Sequence, residues 1–190
     1  YSACPDDDLF INLSLTYSNA HPNMSSGEFS NGITNGSQWY AIYGGMQDWN
    51  YVWENNFEIT LEQSNTKWPN SNLLPDLWID NKESLISFME QVHTGSRGYV
   101  VDAITQDPLY AIITVEGIDH PIFSHMEHGD YYRLLTPGTY NITAFSFGYE
   151  PLTHSVTIQE NNFTSQNFEL MQETSELDDF ESASLSNFNW

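Results

Sequence analysis

The sequence predicts two unlike regions in one chain: a helix-rich α/β region over residues 1–94 and an all-β sandwich of seven strands over residues 95–172. Three observations carry this expectation. Apolar residues recur at helical spacing in two long stretches of the first region. At Gly95 the period switches abruptly from helical to alternating. Seven short β-branched or aromatic runs then follow in fewer than eighty residues, broken by Gly, Pro and Asp, as a sandwich requires.

The elements follow in order. "CPDDDLFINLSLTYSNAH" begins with Pro5 and three aspartates, a negative first turn that suits the helix dipole, and sets Leu9, Leu13 and Tyr17 on one face. Residues 25–50 are rich in Gly, Asn and Ser and predict a long loop. "NFEITLEQSN", residues 56–65, predicts a buried strand. "LPDLWIDNKESLISFMEQVHTG" predicts a second helix that starts at Pro75 and Asp76. Its apolar stripe is Trp78, Leu85, Phe88, Met89 and Val92, with Gly95 as its stop. The seven sandwich runs are "RGYVVD", "AIITVEG", "PIFSH", "DYYRLL", "GTYNITAF", "LTHSVTI" and "QNFEL". Residues 173–190 turn acidic and serine-rich, the composition of a linker or disordered tail.

Composition narrows the function classes. With 190 residues, 39% of them hydrophobic and 15% aromatic, the chain can bury a core. Its 26 acidic residues against 4 Lys and Arg give a formal charge of -22. That field repels nucleic acid and anionic membrane and favours cationic partners. A lone Cys4 forms no internal disulfide, which suits either a cytosolic or a disulfide-poor exported protein. No apolar run reaches membrane-spanning length. The chain opens inside a helix-start signal, as a segment of a longer protein would.

Glu58 and Glu62 lie among Phe57, Ile59 and Leu61 in the expected strand. A buried carboxylate costs several kcal/mol unless paired or hydrogen-bonded, so such a position marks a structural ion pair or a working acid or base. For Glu62 the residues alone leave the two readings level. Alternation places Glu58 on the same face about 13 Å back, where a structural role is the better reading.

"GITNGSQWYAIYGGMQDWNYVWENNFEITLEQSNTKWP", then "LPDLWIDNKESLISFMEQVHTGSRGYVVD" and "GDYYRLLTPGTYNITAFSFGYEP", closely resemble the zinc metallocarboxypeptidases of the carboxypeptidase N, E, M and D group. The likeness runs from about Cys4 to Leu170. It implies the last part of a mixed-sheet catalytic domain followed by a transthyretin-like sandwich. Glu62, the second glutamate of "FEITLE", matches the family's catalytic base, which activates a zinc-bound water and carries its proton to the leaving amine. Tyr40 matches the mobile tyrosine that closes over substrate, and Gln47 a position lining the pocket for the C-terminal side chain, with Asp48 orienting that loop. The implied substrates are peptide or protein C-termini ending in Lys or Arg.

The resemblance also implies zinc, with its ligands expected upstream of this chain. No histidine here is followed by Glu three places on, so the family's His-x-x-Glu pair is absent from the sequence. The chain alone is therefore expected to be inactive. His125 and His128 read as solvated residues, and His21 and His93 as helix-end residues. Asn56, Asn65 and Gln63 depart from the family pattern. Five Asn-x-Ser/Thr sequons stand at Asn12, Asn23, Asn35, Asn141 and Asn162. Few cysteines and an acidic surface favour a secreted or periplasmic enzyme. The competing reading is a catalytically inactive relative that binds or scaffolds.

Overall fold

The structure, a computed structural model, describes residues 1–173, so the expected tail beyond Glu173 lies outside the described residues. Helices occupy the chain up to residue 93, and strands take over at Gly95. Helix α1 (Asp7–Ala20) carries Asp7 and Asp8 in its first turn and buries Leu9, Leu13 and Tyr17. That is the face the spacing predicts.

Helix α4 (Leu74–Glu90) has Pro75 in its first turn, as expected. Its packing face differs from the expected stripe. Asn81 and Ser84 are its buried residues and Leu85 and Phe88 of the expected stripe are half-buried, while Trp78, Met89 and, beyond the helix, Val92 are more than half exposed. Helix α4 lies against α1, and a hydrogen bond joins the two at Asn81. Tyr17 donates to Asn81 Oδ1 at 2.7 Å, and Asn81 Nδ2 donates to the Leu77 carbonyl at 2.8 Å.

Two further corrections concern the stretch between these helices. The expected loop over residues 25–50 contains helix α2 (Gly36–Trp39) and most of helix α3 (Met46–Glu54). Asn35 caps α2 by accepting from the Gln38 amide, and α3 ends at Asn55 in the left-handed conformation, φ 53°. Asparagine tolerates that region, so a composition read as loop serves here as helix punctuation. The strand expected at 56–65 is not formed among the described residues, and Glu62 there is exposed rather than buried. A strand needs a ladder partner, and among the described residues this segment has none; Gln47 of α3 bonds its Glu58 carbonyl and its Thr60 hydroxyl.

The second region is a two-sheet sandwich. One sheet is mixed: β1 (Gly95–Asp102) pairs antiparallel with β4 (Asp130–Leu134) and parallel with β7 (Phe163–Ser165) and β8 (Phe168–Leu170). The other is antiparallel, in the order β3 (Ile118–Phe123), β2 (Ile112–Val115), β5 (Gly138–Phe145) and β6 (Leu152–Ile158). Helices followed by a mixed and an antiparallel sheet are consistent with an α/β fragment and a β-sandwich.

Among the described residues eight strand segments replace the expected seven, because an additional segment, Phe163–Ser165, pairs with β1 just ahead of the run "QNFEL". Asn167 interrupts it, taking the Tyr99 amide on its side-chain oxygen at 3.1 Å. Between the sheets lie Val100, Ile113, Ile142, Phe168 and Leu170, all fully buried. Gly95 sits at φ +147°, where a Cβ would come within 2.2 Å of the Arg133 carbonyl oxygen. Only glycine fits that junction between helix and strand.

Candidate active site

The site is built on α3 and the segment that leaves it. Gln47, in the first turn of α3, reaches along the helix to residues 58–60: its Nε2 donates to the Glu58 carbonyl at 2.6 Å, and its Oε1 accepts from the Thr60 hydroxyl at 3.0 Å. One turn on, Asn50 Nδ2 donates to the Glu58 carboxylate. Phe57 packs between Phe10 and Tyr51, with ring centroids 5.3 and 5.7 Å away. Segment 57–60 is therefore tied down without a strand partner.

The predicted residues divide accordingly. Glu58 is half-buried and hydrogen-bonded, which fits its structural reading. Glu62 is exposed just beyond the pinned stretch, with no hydrogen bond recorded among the described residues. The structure thus brings Gln47 to the segment that carries Glu62. Tyr40 is 53% exposed, and its ring meets Trp39 at 4.8 Å; among the described contacts nothing joins it to Gln47 or Glu62. Trp49 and Trp53 are exposed, whereas Leu61 is half-buried.

Sequence reasoning missed a buried polar hub behind this segment. Arg133 of β4 donates to Asp6 Oδ1 at 2.8 Å, and both side chains are at most 1% exposed. Asp6 Oδ2 accepts from the Tyr51 hydroxyl at 2.8 Å. Burial and the adjacent Asp6 carboxylate hold that phenol far above its ordinary pKa. His120 of β3 stacks on Tyr51 at 4.1 Å, and its Nε2 lies 3.3 Å from Asn55 Oδ1. Burial lowers the His120 pKa, so the ring is neutral at neutral pH. One signal was available: strand alternation puts Arg133 on the inward face with Tyr131 and Leu135, an odd place for one of only two arginines.

Metal-binding capacity is a separate matter. Among the described residues, no three His, Cys, Asp or Glu side chains come together as a metal site requires. His125 and His128 stack on each other at 4.8 Å, and His21 Nδ1 accepts from the Asn23 and Met24 amides. The residues described thus do not fit a zinc site.

Comparison with known proteins supplies the family. A family model described as zinc carboxypeptidase matches residues 1–84. Human carboxypeptidase D is 43% identical over 93% of this chain, which spans 14% of that protein. The rat carboxypeptidase N catalytic chain is 46% identical over 93% of this chain, which spans 39% of it. Carboxypeptidase SOL1 of Arabidopsis thaliana is 45% identical over 92% of this chain, which spans 36% of it. These likenesses run through helices and sandwich alike, well beyond the matched 84 residues. The chain belongs to the zinc carboxypeptidase family, in the group that includes carboxypeptidases N and D.

Proposed function

We propose that this chain supplies the proton-transferring carboxylate and a substrate-facing loop of a zinc-dependent metallocarboxypeptidase that removes C-terminal Lys or Arg. One observation carries the reading. Segment 57–60 is held by Gln47, Asn50 and an aromatic cluster, while Glu62 just beyond it is exposed and uncommitted. A carboxylate with a structural role is normally found in its partner's hydrogen bond, as Glu58 is.

Glu62 takes a proton from the water that attacks the last peptide carbonyl; the C–N bond then breaks and the proton passes to the leaving amine. Tyr40, exposed on its loop, closes over bound peptide. Gln47 faces the C-terminal side chain with the amide hydrogen not used on Glu58. The charge of -22 concentrates basic peptides near the site. The zinc implied by the family is held by residues outside this chain, which by itself is inactive. Residues 1–94 form the end of the catalytic domain, residues 95–172 a transthyretin-like sandwich, and residues 173–190 an acidic tail. The enzyme works outside the cytoplasm, secreted or periplasmic.

The test is Glu62→Gln in the full-length, zinc-loaded protein. Release of C-terminal Arg from a short peptide should fall about 10²–10⁴-fold, the usual contribution of a general acid–base group. Undiminished turnover overturns the assignment. Absence of turnover in the unaltered protein as well would favour the inactive, scaffolding relative. In the same assay the 190-residue chain alone should trim nothing and bind no stoichiometric zinc by calorimetry.

A further inference from the structure

The sandwich is joined to the helical region by particular side chains, and they converge on one point of it. Asn55 is the residue at which the chain leaves α3, in the left-handed region at φ 53° and ψ 35°. That conformation is uncommon for residues with a Cβ in general, and asparagine is among those that adopt it most readily. The chain after it turns back at once, with the Asn56 amide donating to the Asn50 carbonyl at 3.1 Å. Phe57, Glu58 and Thr60 then take up their contacts with α3.

The Asn55 side chain is met from the sandwich. His120 lies on the inward face of β3, 7% exposed, with Nε2 3.3 Å from Asn55 Oδ1. Pairing with a carbonyl oxygen requires a proton on Nε2, which then donates to Asn55 Oδ1. The flat of the same ring rests on Tyr51 at 4.1 Å and an interplanar angle of 20°. Tyr51 in turn is fixed by Asp6, and Asp6 by Arg133 of β4. Strand β3 therefore meets α3 both at Tyr51 and at its terminal turn, and β4 reaches α3 indirectly, through Asp6.

We propose that the sandwich is a positioning element for the reactive segment, with His120 as the residue through which it acts. By holding Asn55 in its left-handed turn, His120 sets the direction in which residues 56–62 leave α3 and hence where Glu62 stands. The proposal rests on the reading of Glu62 as the base, but its structural half is testable without activity.

The experiment compares His120→Phe, which keeps a ring on Tyr51 and removes the N–H, with His120→Gln, which keeps a donor. Asn55→Gly serves as a second variant, because glycine adopts the turn freely and offers nothing to His120. Amide exchange in the 190-residue chain should quicken about tenfold over residues 56–62 in His120→Phe and Asn55→Gly. Their double variant should add nothing, and amides in β2 and β5 should be unmoved. In the full-length zinc-loaded protein the same variants should lower kcat about tenfold with KM within about twofold, and His120→Gln should recover part of the loss. Unchanged exchange over residues 56–62 in both single variants overturns the proposal. Retained turnover in Glu62→Gln overturns the base assignment instead, and leaves the exchange result to decide the positioning of the segment.

Discussion

The helical region and the sandwich bury their apolar residues to very different extents. Between its sheets the sandwich encloses a continuous core from Val100 to Leu170, with most members 3% exposed or less. The helical region has four buried apolar residues, Leu9, Leu13, Tyr17 and Tyr51. It leaves Trp39, Tyr43, Trp49, Trp53, Trp68 and Trp78 largely in solvent. Closing two sheets face to face satisfies both the backbone and the apolar faces from local sequence. Two crossed helices and a tied segment cannot do this, so the helical region leans on polar contacts: Tyr17 with Asn81, Gln47 with Glu58, and the hub at Asp6. The lesson is that this region takes part of its order from the sandwich, through Arg133 and His120.

Separating the two should show the largest effect. Expressed alone, residues 95–173 should melt in one cooperative step, and residues 1–94 should give none, as read by near-ultraviolet circular dichroism during heating. A cooperative transition in the isolated helical piece would break the comparison. The next effect concerns the hub. Arg133→Met leaves Asp6 buried without its partner and should cost about 3–5 kcal/mol in urea unfolding, the usual consequence of breaking a buried pair. Adding Asp6→Asn should recover part of the loss, since no charge is then stranded. A cost below about 1 kcal/mol would mean that the pair does not join the two regions in solution.

A smaller effect sharpens the account of the sandwich itself. Asp102, at the end of β1, accepts from the Ile104 and Thr105 amides at 2.7 and 2.9 Å and from the Tyr149 hydroxyl at 2.9 Å. Those bonds, the Thr105 amide first, lower its pKa to about 2. In the unfolded chain the group titrates near 3.9. A depressed carboxylate pKa stabilises the fold above the unfolded value, and that stabilisation is lost as pH falls from about 4 toward 2. Melting temperatures measured from pH 5 to pH 2 should therefore drop more steeply for the unaltered protein than for Asp102→Asn. Parallel curves would show that the turn at Asp102 does not hold the carboxylate in its charged form.

Local periodicity settled much of this molecule. Leu9, Leu13 and Tyr17 declare α1, Pro75 declares the start of α4, and the switch at Gly95 declares the sandwich, because spacing along one element fixes which of its residues share a face. The likeness in "WYAIYGG", "GGMQDW" and "FEITLE" points to Tyr40, Gln47 and Glu62 as site residues, roles that remain proposals. What spacing cannot convey is which neighbour meets each face. Residues 56–65 alternate like a strand, yet a strand exists only where another backbone completes its ladder. Here the Gln47 side chain meets the Glu58 carbonyl and the Thr60 hydroxyl, and no second backbone is paired with the segment among the described residues. Asn81 is buried on α4 where the Tyr17 hydroxyl of α1 meets it. The hub joins Asp6, Tyr51, His120 and Arg133, residues as far as 127 positions apart. An ion pair across such a separation has no local signature. It forms only when the fold brings two elements together, so the tertiary structure alone decided that the sandwich meets α3 at Tyr51 and Asn55, just ahead of the segment carrying Glu62.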